Sequence, residues 1–259
     1  MRDPGLEEAV RAVGGVSELA RQIGISQPSV SNWTRTPAER VLIVEAATGI
    51  DRKVLRPDLY GEPVQGEPAP DDVTEARAQE YALLATLLGR APDAKLLASL
   101  ASLRGDATPL GIAHAALAQA ASETTVERVE REYFNLFIGL GRGELLPYAS
   151  YYLTGFLHER PLARLRADLA ELGIAKAEGN PEPEDHIAIL SEIMAGLAGG
   201  QFATPPGADK RIFEKHLSPW AGRFFADLER AEAADFYRRV GTLGRLFMDI
   251  ETEAFAMPA

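Results

Sequence analysis

Wherever hydrophobic residues recur along the chain, they recur at a helical period. Phe236, Val240, Leu243, Phe247 and Ile250 step by four, three, four and three, which places them on one face of a long helix. Val126, Val129, Tyr133, Leu136 and Leu140 form a second stripe behind Thr124 and Thr125, whose hydroxyls suit a helix N-terminus. Ile187, Leu190, Met194 and Leu197 form a third, closed by Gly199 and Gly200. No stretch alternates apolar and polar residues for long enough to build a sheet. The pattern predicts an all-α protein with nine or more helices in its C-terminal part.

The stripes are interrupted once by a segment of different character. Residues 61–72 hold three prolines, two glycines and four acids, a composition that stays extended and solvated. It divides the chain into an N-terminal module, residues 1–60, a linker, 61–73, and a larger helical domain, 74–259. Charge follows the same division. The first sixty residues balance eight Lys/Arg against eight Asp/Glu, so the whole net charge of −11 resides in the remainder. An acidic body repels nucleic acid and favours cationic partners. DNA contact is therefore expected only from the front module.

Composition removes several chemistries. With 46% apolar residues the 259-residue chain can bury a sizeable core. The chain has no cysteine, which excludes disulfides, thiolate metal sites and cysteine nucleophiles. The opening Met1-Arg2-Asp3-Pro4-Gly5 leads into no apolar stretch, and no apolar run reaches membrane-spanning length. These features predict a cytoplasmic protein with no membrane partner.

In the front module, Leu19, Ala20 and Ile23 form the inward face of a short helix opened at Val16 or Ser17. Gly24 ends it, and Ile25 plugs the turn. Ser26 caps a second helix with Pro28 in its first turn, and Val30 and Trp33 face the first helix. Gln27, Ser29 and Asn32 point outward, and Arg35 follows the helix. Short polar side chains at the start of a second helix suit major-groove reading, because Gln and Asn can pair bidentately with adenine. Together with Pro37-Ala38-Glu39-Arg40-Val41 and Arg56-Pro57-Asp58-Leu59-Tyr60, residues 6–60 resemble the Cro/YdaS-like helix-turn-helix family. The resemblance implies that Gln27, Ser29 and Asn32 read bases of operator DNA and Arg35 touches its backbone. A module this small needs a homodimer to bind tightly. Its neutral charge leaves a protein-contact role open beside DNA binding.

Three blocks stand out in the larger domain. Glu132-Tyr133-Phe134-Asn135-Leu136-Phe137-Ile138-Gly139 is followed by a glycine loop and Pro147-Tyr148-Ala149-Ser150-Tyr151-Tyr152. Glu182-Pro183-Glu184-Asp185-His186 opens a helix. Phe213-Glu214-Lys215-His216-Leu217-Ser218-Pro219-Trp220 precedes Phe224-Phe225. In this order and spacing the blocks resemble the TorD/NarJ family of molybdoenzyme maturation chaperones over residues 74–259. The resemblance implies an all-helical, cytoplasmic chaperone that binds the twin-arginine signal peptide, or N-terminal segment, of the apo-form of a molybdenum oxidoreductase. It places Leu136, Phe137, Pro147, Tyr148, Asp185 and His186 in the peptide site. A basic, apolar leader needs acidic rim groups beside an apolar groove. Net charge and the aromatic residues Tyr148, Tyr151, Tyr152 and Phe156 are consistent with that.

Each of these residues also has a simpler role. Leu136 and Phe137 fit the core, Asp185 fits a helix cap, and His186 fits a buried, satisfied histidine. Tyr148 follows a proline in an apparent loop and is expected to be exposed. The run Gly139-Leu140-Gly141-Arg142-Gly143 follows a helix and lacks a Gly-Lys-Ser/Thr ending, so it is not read as a phosphate loop. His114, His158, His186 and His216 lack metal-ligand spacing. No catalytic residue, metal or cofactor is expected, and no enzymatic activity. A regulator that uses the helical domain as a peptide sensor or oligomerisation domain is the alternative.

Overall fold

The computed structural model describes residues 3–37, 40–57, 72–176 and 182–257 and separates into two compact units, Met1–Ala69 and Pro70–Ala259. Ala38, Glu39, Asp58, Leu59 and Tyr60 of the front-module motif lie outside the described residues. So does the expected linker, except for Asp72 and Val73, which open a helix.

Among the described residues the first unit has five short helices: α1 (Pro4–Ala12), α2 (Val16–Gln22), α3 (Gln27–Ser31), α4 (Val41–Thr48) and α5 (Arg52–Leu55). Leu6, Leu19, Val30, Val44 and Leu55 make its core. Gly24, at φ +71°, turns the chain between α2 and α3 in a conformation that side chains disfavour. Ser26 accepts the Ser29 N–H and caps α3. This second helix was expected to carry Trp33 but stops at Ser31, with Asn32 as its C-cap. Serine and asparagine compete with helical hydrogen bonding, and here they end the helix after five residues. Trp33 still packs against the core just beyond it. The buried Arg56 guanidinium donates to the Thr36 carbonyl at 2.9 Å and pins the segment that follows Arg35.

In the second unit the helices are α6 (Asp72–Gly89), α7 (Ala94–Ala101), α8 (Pro109–Glu123), α9 (Val126–Tyr133), α10 (Ala149–Thr154), α11 (Arg160–Glu171), α12 (Ile187–Ala198), α13 (Ala208–Ile212), α14 (Ala221–Arg230) and α15 (Phe236–Ala256). Two π-turns, Phe134–Ile138 and Phe213–Leu217, extend α9 and α13. No strand occurs among the described residues, so the fold is all-α. Asp93, Thr108 and Thr125 cap α7, α8 and α9 by accepting the N–H groups of Leu96, Gly111 and Arg128. The main packings are α6 on α12, α14 on α15 and α8 on α15. Trp220, Tyr81, Tyr237, Phe213, Phe224 and Phe225 fill the core. Pro219-Trp220 does precede a helix, with the indole N–H given to the His216 carbonyl at 2.7 Å. Gly244 lets α14 close on α15, since a Cβ there would lie 2.2 Å from the Phe225 ring.

Two stripe positions differ from expectation. Leu140 is 97% exposed rather than inward. The π-turn accommodates an extra residue, its closing bond running from Gly139 N–H to the Phe134 carbonyl, and Gly139 at φ +61° then ends the helix one residue before Leu140. Ile250 is also exposed, and its neighbour Glu251 is buried instead. A 3.6-residue period drifts away from a strict four–three stripe over a 21-residue helix.

Candidate functional site

The chain before α10 and the chain before α12 meet in an isolated antiparallel bridge between Tyr148 and His186. Ala149 N–H donates to the Asp185 carbonyl at 2.9 Å, and Ile187 N–H to the Pro147 carbonyl at 2.8 Å. This two-sided pairing is what brings Pro147, Tyr148, Asp185 and His186 together from segments 38 positions apart in the chain, counting from Tyr148 to His186.

Asp185 was read as a possible cap for its own helix. It caps a different one. Its Oδ2 accepts the N–H of Ser150, in the first turn of α10, at 2.8 Å, while His186 caps α12 by accepting the Ala188 N–H on Nδ1 at 3.1 Å. The reason is positional. Asp185 lies one residue before the cap position, on the bridge, where the start of α10 is its nearest set of unpaired N–H groups. Asp185 is 1% exposed and His186 is also buried.

Tyr148 was expected to be exposed and is half-buried. Its ring meets the His186 ring edge-on, centroids 4.9 Å apart, and its hydroxyl donates to Glu182 Oε2 at 2.7 Å. Burial, the hydrogen bond to Glu182 and the nearby carboxylate charges all push the Tyr148 hydroxyl above its ordinary range, so it stays a donor. Burial drives His186 down to about 4, against the upward pull of Glu182 and Asp185, so its imidazole is neutral near pH 7. With Nδ1 accepting from the backbone, the proton sits on Nε2, which has no acceptor among the described residues.

The six predicted residues do not converge on one cleft. Leu136 is fully buried in the core, and Phe137 packs edge-on against Tyr133 and Tyr237 at 5.0 and 5.5 Å. Pro147 is buried and contributes its carbonyl to the bridge. Asp185 and His186 face different spaces, as neighbours in an extended segment do. His186, Glu182 and Tyr133 line a groove of about 700 Å³ along α6 and α12, floored by small residues such as Ala85 and Ala188, with Glu192 at its side. Asp185 lines a separate cavity of about 410 Å³ between α10, α11 and the second π-turn. Of the aromatic residues flagged near Tyr148, Tyr152 packs on Trp220 and Phe224, and Phe156 is exposed.

Asp168, Lys215 and His216 line the same cavity as Asp185 and lie outside the set of site residues the sequence suggests. His216 Nε2 lies 2.6 Å from Asp168 Oδ2, and Lys215 Nζ lies 3.1 and 3.3 Å from the two Asp168 oxygens. Burial works to raise the Asp168 carboxyl, but hydrogen bonds from His216 and Lys215 outweigh it and hold it below the usual carboxylate range. Burial lowers His216, which therefore donates to Asp168 as a neutral imidazole. Lys215 and His216 sit in a block the sequence singles out. Asp168 is 48 positions away from His216 and had no local signal. Among the described residues no three His, Asp or Glu side chains group as metal ligands, and no helix is long and apolar enough to cross a membrane.

In the smaller unit, Gln27, Ser29, Asn32 and Arg35 are all exposed. The Gln27 amide donates to Ser31 Oγ at 2.9 Å, and the Ser29 hydroxyl pairs with Ser26 at 2.7 Å.

An all-helical body with a bridged Tyr–Asp–His centre, and a small helix-turn-helix unit in the same chain, define a two-module all-α protein. Residues 103–226 match the family model described as the nitrate reductase delta subunit, and residues 6–64 match the one described as the bacterial toxin YdaS. The larger unit is thus similar to the TorD/NarJ family, and the front module to the YdaS-type helix-turn-helix family. It is 28% identical over 203 residues to the chaperone protein TorD of Shewanella loihica, covering 70% of this chain and 93% of that one. It is 29% identical over 119 residues to a probable Tat proofreading chaperone, DmsD, of Haemophilus influenzae, covering 45% of this chain and 57% of that one. A solved structure of a protein described as a redox enzyme maturation protein, from Archaeoglobus fulgidus, is similar at a TM-score of 0.47 and 20% identity, over 67% of this chain and 93% of that one.

Proposed function

We propose that the larger unit is a redox-enzyme maturation chaperone that holds the twin-arginine leader, or N-terminal segment, of an apo molybdenum oxidoreductase in the cytoplasm. The observation that supports this best is the bridge, which sets an unaccepted His186 N–H on an open groove and an Asp185 carboxylate on a cavity beside it. A groove of this kind suits an extended or helical peptide. Its small-residue floor leaves room for apolar side chains, Glu182 and Glu192 attract a basic end, and the His186 Nε2–H can donate to a peptide carbonyl. Tyr148 supports His186 through the edge-on contact of their rings. The relatives named TorD and DmsD are chaperones, which agrees with a binding rather than a catalytic role.

Titration calorimetry of the full chain with a twin-arginine leader peptide is the test. Tyr148→Ala should weaken binding about tenfold, which corresponds to about 1.4 kcal/mol, while the melting temperature of the larger unit stays within a few degrees. A wild-type chain that binds no leader from any molybdoenzyme would remove this reading and favour a regulator that uses the domain for assembly.

For the smaller unit we infer DNA contact through α3, with Gln27, Ser29 and Asn32 toward base edges and Arg35 toward phosphate. All four are exposed on one short stretch of an ordered turn, which supports this reading. Arg35→Ala should weaken binding to every duplex alike and lower the salt slope by about one unit. A change confined to one sequence would count against the phosphate role.

A further inference from the structure

The cavity beside Asp185 is a site in its own right. One wall is apolar, from Leu153, Pro161 and Leu165. At its floor Asp185 is almost wholly removed from solvent, and only its Oδ2 is satisfied, by Ser150 N–H. The other carboxylate oxygen has no donor, and no cation lies within ion-pair distance of Asp185 among the described residues. It is not sealed either, because it opens on the cavity. A carboxylate in this state lacks the counter-charge that buried carboxylates ordinarily have.

The cations nearby do not supply it. Lys215 is neutralised by both Asp168 oxygens, Arg166, whose charge also acts on Asp185, is exposed and paired with Glu184 at 2.8 Å, and Arg164 is an exposed side chain at the rim, where water screens it. His216 already gives its Nε2–H to Asp168. The second carboxylate is therefore occupied, and Asp185 alone is left to receive a ligand. A fitting ligand group has an apolar stem to lie along Leu153 and Pro161 and a planar set of N–H donors for the free oxygen. That describes a guanidinium better than an ammonium.

We propose that this cavity takes one arginine side chain of the client's leader, making it a specificity subsite separate from the His186 groove. The inference rests on the chaperone reading above. It divides the adjacent pair Asp185–His186 between two tasks: the carboxylate reads an arginine side chain while the imidazole holds the peptide backbone.

The test is calorimetry on the full chain with a leader peptide containing paired arginines, and with the same peptide carrying glutamine or lysine at each arginine in turn. Glutamine at one of the two arginines is expected to weaken binding to the wild-type chain about tenfold, with lysine recovering only part of the loss. Against Asp185→Asn, which keeps an acceptor for Ser150 N–H, the same replacement should cost no more than twofold. Leu153→Trp narrows the cavity from a partly exposed position away from Tyr148 and His186. It should weaken the arginine peptide and spare the glutamine peptide. Arg164→Gln should leave binding equal or tighter. Additive losses in the Asp185→Asn comparison would overturn the assignment. So would a threefold or greater loss on Arg164→Gln, since the cavity would then be reading an anion. If the wild-type chain binds no leader at all, the chaperone reading fails in the first titration and this subsite fails with it. Binding that ignores the cavity variants overturns the subsite alone.

Discussion

Replacing Glu251 with alanine should destabilise the larger unit by about 3–5 kcal/mol, the range for removing one partner of a buried ion pair. Glu251 is fully buried in α15 and accepts from Arg77 Nε at 2.7 Å, Arg77 Nη2 at 2.9 Å and the Tyr81 hydroxyl at 2.8 Å. Those donors belong to α6, so one carboxylate ties the first helix of the unit to the last. Arg77 also reaches Asp209 of α13 at 3.2 Å and lies over the Phe255 ring. Without Glu251, the Tyr81 hydroxyl is left buried beneath Phe247 with no acceptor, and Arg77 keeps only the weaker, partly exposed pairing with Asp209. Urea unfolding followed by Trp220 fluorescence, in a Trp33→Phe background, isolates this unit from the smaller one. Glu251→Gln keeps the volume and one acceptor oxygen and should lose distinctly less than alanine. A loss below 1 kcal/mol for alanine would mean that the network is held by Asp209 and packing instead.

Glu251 also illustrates what hydrophobic pattern can and cannot convey. The α15 stripe from Phe236 to Phe247 is buried as its spacing predicts, because each position contributes apolar area to one shared interface. A buried acid has no signature in such a pattern. Its burial depends on Arg77 and Tyr81, which lie 174 and 170 positions away. Glu132 behaves the same way, its carboxylate receiving the backbone N–H groups of Asp235, Phe236 and Tyr237 at the start of α15. Local signals did better wherever the chemistry is local. Gly24, Ser26 and Thr125 do what glycines and small hydroxyls do at helix ends. The π-turn after α9 was invisible because an inserted residue changes the phase without changing composition, and Leu140 was misplaced as a result.

Four of the six residues that the resemblance places in the peptide site lie together, while Leu136 and Phe137 pack in the core. Pro147, Tyr148, Asp185 and His186 do meet, through a bridge made of backbone atoms that no side-chain pattern encodes. That backbone pairing turns Asp185 and His186 toward different spaces and sets Asp185 against α10 rather than α12. The Asp168–His216 contact is a pairing of the same long-range kind, and the cavity it borders came only with the fold.

Acidification should reveal the buried imidazole at this centre. His186 titrates near 6.5 when unfolded and at about 4 when folded, mainly because burial disfavours its charged form. Between these values the unfolded chain binds a proton that the folded chain refuses. Stability is therefore fully present above about pH 6.5 and declines as pH falls toward 4. At pH 5 this group alone should cost about 2 kcal/mol relative to pH 8. Other groups contribute to the wild-type profile. His216, also lowered by burial, acts in the same direction. His114 is raised by its hydrogen bond to Glu80 and acts in the opposite one, adding stability at low pH that is lost as pH rises through its folded value. The His186 share is isolated by comparison with His186→Asn, whose side-chain oxygen can still accept the Ala188 N–H. At pH 8 the asparagine chain should be no more stable than wild type. By pH 5 the difference should have moved about 2 kcal/mol in its favour, read from urea midpoints of the larger unit. Parallel pH profiles for the two chains would mean that His186 is not held neutral. On acidification its Nδ1 would then become a second donor facing the Ala188 N–H, and the neutral imidazole that caps α12 while offering Nε2–H to a peptide carbonyl would not be the form held in this pH range.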